Sequence, residues 1–310
     1  MALRTSVIIV SDYGSGEAKG WDDLRLTLHA LARQDYGGSV EYLLVEASSL
    51  ADKVPADLQV ILPSLRVVFV DEKSSYALKN AGARLASGGI LGVLDGDCAP
   101  HPGWLRHLVD TFQRFPDTAV VSGRTVYDSP DSKERILGLL SRGYLDVGQA
   151  GTTDGVANNN AGFNREALLA HPFQDDIGPF GGKLQSESMR RAGLQLRFEP
   201  AMLAVHAYEG WDMERDIRRN SGYASIMVRK IDPEIDYAWL CRLGAISIPV
   251  FFGGRLLKSW MTLLRLWRHY DVPVARIPYG LGLAAYLHWL EIAGMGLAFS
   301  RGRITATAYR

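Results

Sequence analysis

Gly89-Ile90-Leu91-Gly92-Val93-Leu94-Asp95-Gly96-Asp97 is an uncharged apolar run that stops abruptly at two carboxylates. A run this short, bounded by turn residues and rich in Leu, Ile and Val, predicts a strand buried on both faces. Two carboxylates at i and i+2, just past its end, make a site of hard oxygen ligands. Gly96 lets the chain turn tightly enough for both to face one ligand. Carboxylates suit Mn²⁺ or Mg²⁺, which keep part of their water and also take the oxygens of a diphosphate. Asp-Gly is equally a common turn dipeptide, so the surrounding segments decide.

Working outward, strand signals recur at residues 6–10, 40–45, 66–70, 119–121 and 195–198, the last stopping before Pro200. Between them, residues 21–33 carry Leu24, Leu28 and Leu31 at helical spacing. Residues 76–86 read as a helix with Ser74 or Ser75 as N-cap. Further helices are expected at 133–145, 165–170 and 184–192, with a Gly-, Thr- and Asn-rich loop at 151–160. Strands alternating with helices predict an α/β fold, a mostly parallel sheet flanked by helices. In such sheets ligands sit beyond the carboxyl ends of the strands. Three of those ends are polar here: Ser11-Asp12, Glu46-Ala47-Ser48 and Asp95-Gly96-Asp97.

The 310 residues include 34 basic and 34 acidic side chains. That balance supplies no field to attract nucleic acid, which is not an expected partner. Cys98 and Cys241, the two cysteines, form no Cys-x-x-Cys pair, which fits a reducing compartment and no disulfide framework. Met1-Ala2-Leu3-Arg4-Thr5 runs straight into a strand-like segment without a signal-peptide apolar stretch, so the catalytic part is expected to be cytoplasmic.

Lys79-Asn80-Ala81-Gly82-Ala83-Arg84-Leu85-Ala86-Ser87-Gly88, the strand that follows, Asp95-Gly96-Asp97-Cys98, and Pro100 to Leu105 closely resemble the family 2 glycosyltransferases. Leu43-Leu44-Val45-Glu46-Ala47-Ser48-Ser49 resembles that family's second-strand segment. Asn160-Ala161-Gly162-Phe163-Asn164-Arg165 is similar to its acceptor-side motif. Gly193-Leu194-Gln195-Leu196-Arg197-Phe198-Glu199-Pro200, then Val205-His206, is similar to its late strand and terminal His. Several motifs in matching order, over roughly residues 6–210, outweigh any single one.

The resemblance implies a GT-A fold, Rossmann-like, that binds a nucleotide-diphosphate sugar. Glu46 would hold the nucleoside, with Ser11 and Asp12 flanking the base. Asp97 would be the main metal ligand, Asp95 would contact ribose or a metal-bound water, and His206 could complete the coordination. Asn80 would face the diphosphate unless it satisfies a neighbouring loop, and Asn160 would lie on the acceptor side. The implied reaction is hexosyl-type transfer with inversion to a hydroxyl of a glycan or lipid-linked acceptor, as in polysaccharide or glycolipid synthesis.

Inverting members of the family carry an acidic pair before the late strand, one of which deprotonates the acceptor. Counting back from Gly193, those positions are Gly181 and Gly182. The nearby carboxylates Asp175 and Asp176, in a Gly- and Pro-containing loop, are favoured as the base over Glu187, which lies inside a helix. The same departure motivates the alternative of a non-catalytic nucleotide-sugar-binding or scaffold protein. A Rossmann dehydrogenase is disfavoured because Gly14-Ser15-Gly16 is followed by Gly20 where the pattern needs glycine at Lys19.

The expected division is a GT-A domain over residues 1–230 and a helical C-terminal region over 231–310. Arg255, Lys258, Thr262, Arg265 and His269 fall on one helical face, backed by Leu256, Leu257, Trp260, Met261, Leu264 and Trp267. Two readings stay open: a helix in the interface of the inner face of the cell membrane, or a cap packed on the domain. Residues 277–300 are long enough to span a bilayer. His288 and Glu291 lie near their middle, though, where a charge costs on the order of 3 kcal/mol. Interfacial or core-packed placement is therefore expected.

Overall fold

The computed structural model describes residues 4–11, 20–175, 181–208 and 210–300; Asp12, Gly14-Ser15-Gly16 and Asp176 lie outside them. The elements are β1 (Thr5–Val10), α1 (Gly20–Ala32), β2 (Val40–Ala47), α2 (Leu58–Ile61), β3 (Leu65–Val70), α3 (Ser75–Leu85), β4 (Ile90–Asp95), β5 (Cys98–Pro100), α4 (Trp104–Arg114) and β6 (Thr118–Val126). There follow α5 (Ser132–Arg142), β7 (Gly151–Thr152), β8 (Asn160–Asn164), α6 (Arg165–Ala170), α7 (Gly181–Arg191), β9 (Gln195–His206), α8 (Trp211–Ile231), α9 (Ile248–Leu266) and α10 (Ile277–Ser300). The strands form one sheet in the order β3-β2-β1-β4-β8-β6-β9-β5, with β7 also on β9. β3, β2, β1 and β4 are parallel, β8 is antiparallel to β4 and β6, and β6 is parallel to β9.

The pleat of β1 explains why the sheet is covered on both sides. Val7 and Ile9 pack with Leu24 and Leu28 of α1 and Trp104 of α4, whereas Ile8 and Val10 pack with Leu78 and Ala81 of α3. Each such side chain, fully buried, stabilises the fold by about 1.5–3 kcal/mol. Helix α3 starts at Ser74, whose side chain accepts from the Ala77 amide at 3.2 Å, so Ser74 is the cap. The order places β1 between β2 and β4, and the carboxyl ends of all three open on one crevice.

β9 differs from the expected short strand. It passes through Pro200 because the pairing with β6 jumps from Gly123↔Glu199 to Arg124↔Leu203. The extra residues form a bulge, where proline's missing N–H costs no ladder bond. The strand then continues to His206, paired opposite Cys98.

The C-terminal helices are fastened to the rest. α8 runs across residue 230, and α10 lies on it with the backbones in contact. A Cβ at Gly222 would come 2.0 Å from the Glu291 carbonyl oxygen, and one at Gly294 would come 1.8 Å from that of Arg219. Leu263 and Leu266 of α9 and Leu283 and Leu287 of α10 share a core with Ile136 and Leu140 of α5.

The basic face of α9 divides between a cavity and the outside. Arg255, Lys258 and Thr262 line an internal cavity. The outward side is apolar instead, with Val250, Leu257, Met261 and Leu264 between 54% and 57% exposed. Arg255 gains from the Glu291 carboxylate and turns inward, whereas Lys258 and Arg265 stay exposed beside the outward hydrocarbon. Ala238–Tyr270 and Val274–Ser300 are each long and apolar enough to cross a membrane, by length and composition only.

Candidate active site

One cavity of about 590 Å³ runs from the carboxyl ends of β1, β2 and β4 to the walls of α5, α8, α9 and α10. At the strand end, Glu46 is 1% exposed and accepts from the Ser11 amide at 3.2 Å. Burial pushes its carboxyl up to about 7, against the hydrogen bonds from Ser11. Asp95 holds the Lys79 ammonium at 2.5 Å, and Lys79 also donates to the Asn158 carbonyl at 3.1 Å. Lys79 is 2% exposed on an otherwise apolar helix face, so its charge has to be satisfied by the site above it.

Asp97 and His206 meet where β4 and β9 end. The His206 Nδ1 lies 2.6 Å from the Ala207 carbonyl and can only be its donor, which leaves Nε2 as a lone pair on the neutral ring. Burial, then the Arg142 charge, pushes His206 down to about 3, so the ring is neutral. Nε2 stands 3.1 Å from Asp97 Oδ2. Two acceptors at that spacing repel unless a proton or a cation lies between them. Two ligands at right angles on an ion with bonds near 2.1 Å stand about 3 Å apart, so the pair fits a divalent metal. The Arg142 guanidinium reaches Nε2 at 2.6 Å and supplies positive charge there. Burial, then Asp95, pushes Asp97 up to about 7, the strain that a bound cation relieves. Cys98 Sγ lies within reach of both ligands. Burial and the two aspartates hold its thiol well above the ordinary value, so it donates to Asp97 Oδ1 at 3.4 Å as a neutral group.

The expected site residues divide. Ser11, Glu46, Asp95, Asp97, His206 and Asp175 line the cavity. Asn80 does not face it: both ends of its amide are taken by the Phe173 backbone, at 2.8 and 3.0 Å. Its neighbour Lys79, one helical step round, points to the site instead. Asn160 is also corrected. It is fully buried, accepting from Trp104 Nε1 at 2.7 Å and donating to the Arg124 and Met202 carbonyls, and it fastens β8 to β6 and β9 beneath the site. Glu187 is 7% exposed, bonded to Lys183 and Arg190, and does not line the cavity.

Gly181 and Gly182 are closed positions rather than vacated ones. A Cβ at Gly181 would stand 2.0 Å from the Gln174 carbonyl oxygen, and one at Gly182 would stand 1.7 Å from Asn158 Nδ2. No carboxylate fits either place without moving its neighbours. Arg142 was not legible in sequence, lying 64 residues from its partner His206. Lys79 carried a signal, as a lone charge among Ala77, Leu78, Ala81 and Ala83 on the buried face of α3.

A parallel sheet whose carboxyl ends gather an Asp-x-Asp motif, a late-strand His and a deep cavity defines a GT-A glycosyltransferase. The chain belongs to glycosyl transferase family 2, whose sequence profile matches residues 7–170. It is 24% identical to Glycosyltransferase AglE of Haloferax volcanii, over 79% of this chain and 80% of that protein. It is 36% identical to the Glucosyl-dolichyl phosphate glucuronosyltransferase of the same organism, over 44% of this chain and 42% of that one. In structure it is similar to the mannosyltransferase PcManGT from Pyrobaculum calidifontis, solved with GDP-Man and Mn²⁺. That likeness has a TM-score of 0.61 and 14% identity, covering 98% of this chain and 89% of the other.

Proposed function

We propose that the chain is a metal-dependent, inverting glycosyltransferase that moves a hexosyl-type sugar from a nucleotide-diphosphate sugar to a hydroxyl of a lipid-linked glycan. The reading rests on one observation: a single cavity joins the Asp95–Asp97 end of the sheet to the basic inner wall of α8 and α9. The dolichyl phosphate in one relative's name and the GDP-Man and Mn²⁺ bound by a structural neighbour favour the same donor and acceptor classes.

In this reading Glu46 holds the nucleoside, with Ser11 and Asp12 at the base. Asp95, fixed by Lys79, takes the ribose or a water on the ion. Asp97 and His206 would hold Mn²⁺ or Mg²⁺, which would supply charge neutralisation for the departing diphosphate. Asp175, with Asp176 beside it, takes the proton of the acceptor hydroxyl as that oxygen attacks the anomeric carbon from the opposite face. The exposed apolar side of α9 rests on the inner face of the cell membrane, so that the catalytic part is cytoplasmic. The division into a GT-A domain over 1–230 and a membrane-associating region over 231–310 is functional, since the two share a core.

A second reading, a non-catalytic nucleotide-sugar binder or scaffold, is favoured by the closed positions Gly181 and Gly182. Turnover of a panel of nucleotide-sugars with Mn²⁺ separates the two. Transfer or donor hydrolysis, lost in Asp97→Ala, is the expected result. Binding without turnover across donors and acceptors overturns the enzyme reading, and intact metal-dependent donor binding in Asp97→Ala overturns the site. Liposome flotation of the full chain tests the membrane contact. Leu257→Glu with Met261→Glu should abolish flotation, and unchanged partitioning removes the claim.

A further inference from the structure

The neutral His206 ring has one lone pair in its plane, at Nε2, because Nδ1 donates to the Ala207 carbonyl. That lone pair is in use. Arg142 Nη2 reaches it at 2.6 Å from the last turn of α5, on a half-buried side chain that lines the same cavity as Asp95 and Asp97. A guanidinium hydrogen and a metal ion cannot share one lone pair. An ion held by Asp97 and His206 therefore displaces Arg142 from Nε2.

Charge opposes such an ion a second time. Lys79 pairs with Asp95, and Arg142 sits on the nitrogen that lies 3.1 Å from Asp97. Burial and Asp95 push the Asp97 carboxyl up, and the Arg142 charge works against them. Two carboxylates thus already face two cations around a neutral ring. A divalent ion entering alone leaves two positive charges in excess among Asp97, His206 and Lys79, all buried, where like charges repel strongly. The diphosphate of a nucleotide-sugar, a diester with two negative charges, offsets that excess.

Arg142 is shaped to meet it. Tyr127 backs the guanidinium, its ring centroid 5.9 Å from Cζ and 5.6 Å from the His206 ring. Tyr127 is itself packed on α5, where a Cβ at Gly138 would come 3.0 Å from its Cγ. The guanidinium presents a planar fork of donors that matches phosphate oxygens.

We propose that Arg142 couples metal to donor: it occupies His206 Nε2 in the unloaded protein and passes to the donor's diphosphate when Asp97 and His206 take the ion. Metal and donor then strengthen each other's binding, by one and the same factor. The inference deepens the donor half of the proposed function and rests on that reading.

The test is Mn²⁺ binding to the full chain, followed by the electron paramagnetic resonance of the free ion. It is measured alone and with UDP, GDP or inorganic pyrophosphate, the last a diphosphate without a base. In the native protein Mn²⁺ and diphosphate should tighten each other by about 5–150-fold, the usual range of such couplings. Arg142→Met removes both the donor group and the charge. It should tighten Mn²⁺ alone roughly tenfold and abolish the coupling, whereas Arg142→Lys, which keeps the charge, should retain it. A side chain that merely propped His206 in place would give the opposite sign, as would a damaged fold. Unchanged or weaker binding of Mn²⁺ alone in Arg142→Met, or a coupling that survives it, overturns the inference and leaves the donor site standing. Native protein that binds neither Mn²⁺ nor any of the three diphosphates in its presence sinks the donor-site reading, and the inference with it.

Discussion

Replacing Glu291 by Gln keeps the shape of the side chain and removes the charge on which the cavity wall is built. Glu291 is fully buried, and its two oxygens receive Arg255 at 2.6 and 3.0 Å, His288 at 2.9 Å and Arg218 at 3.4 Å. The amide nitrogen of Gln would be turned toward groups that are themselves donors. Two guanidinium groups would then share the remaining oxygen. Breaking a buried pair on one side costs about 3–5 kcal/mol, because the partners stay behind uncompensated. In a chain of this size that lowers the unfolding midpoint by on the order of 10 °C. The sign with pH follows from the carboxyl being held well below its ordinary value, where the attraction of Arg255 and His288 outweighs burial. A depressed carboxylate contributes its full stability above its unfolded value, about 4.5, and loses it as pH falls through the folded value. Thermal unfolding followed by circular dichroism at pH 7 and pH 4 should therefore show a large gap between native protein and variant at pH 7 that narrows on acidification. A midpoint lowered by less than about 2 °C at pH 7, or a gap that does not change with pH, would refute the reasoning.

Glu46 has the opposite sign. Its carboxyl lies at about 7 in the fold, so the native protein loses stability as pH rises from about 4.5 to 7, by as much as roughly 3 kcal/mol. Glu46→Gln should flatten that slope in urea midpoints measured at pH 5 and pH 8; parallel profiles would contradict the assignment. Gly181→Ala should destabilise by about 1–3 kcal/mol, since the methyl meets a main-chain carbonyl. Gly182→Ala should cost less, because Asn158 can swing away at the loss of its bond to the Tyr76 hydroxyl. Guanidinium unfolding reads both, and the reasoning fails if Gly182→Asp is as stable as the native chain and turns donor over faster.

Several features were legible because they are local. The apolar run ending at Asp95-Gly96-Asp97 predicts β4 and the acidic end of the sheet, since strand burial and turn chemistry depend on neighbours in sequence. The strand–helix alternation around it predicts the parallel half of the sheet for the same reason. Glu291 was legible as a residue that lipid would not tolerate. The tertiary structure alone decided which way helical faces turn. A step of one residue rotates a helix position by about 100°, and that step separates Lys79 at the site from Asn80 on the Phe173 backbone. The same ambiguity governed α9. Its two faces could be read from sequence, but whether the charges looked outward or inward depended on Glu291, 36 residues away on another helix. Asp95 and Asp97 were visible by their spacing as candidate ligands of hard oxygen chemistry. That His206 brings Nε2 to 3.1 Å from Asp97, with the Arg142 guanidinium on the same nitrogen, follows only from a bulge at Pro200 and a register that lays β9 against Cys98. Sequence thus determined the acidic strand end of the cavity, whose chemistry is written in consecutive residues. The helical end was decided by the fold, because its charges come from helices that meet only in three dimensions.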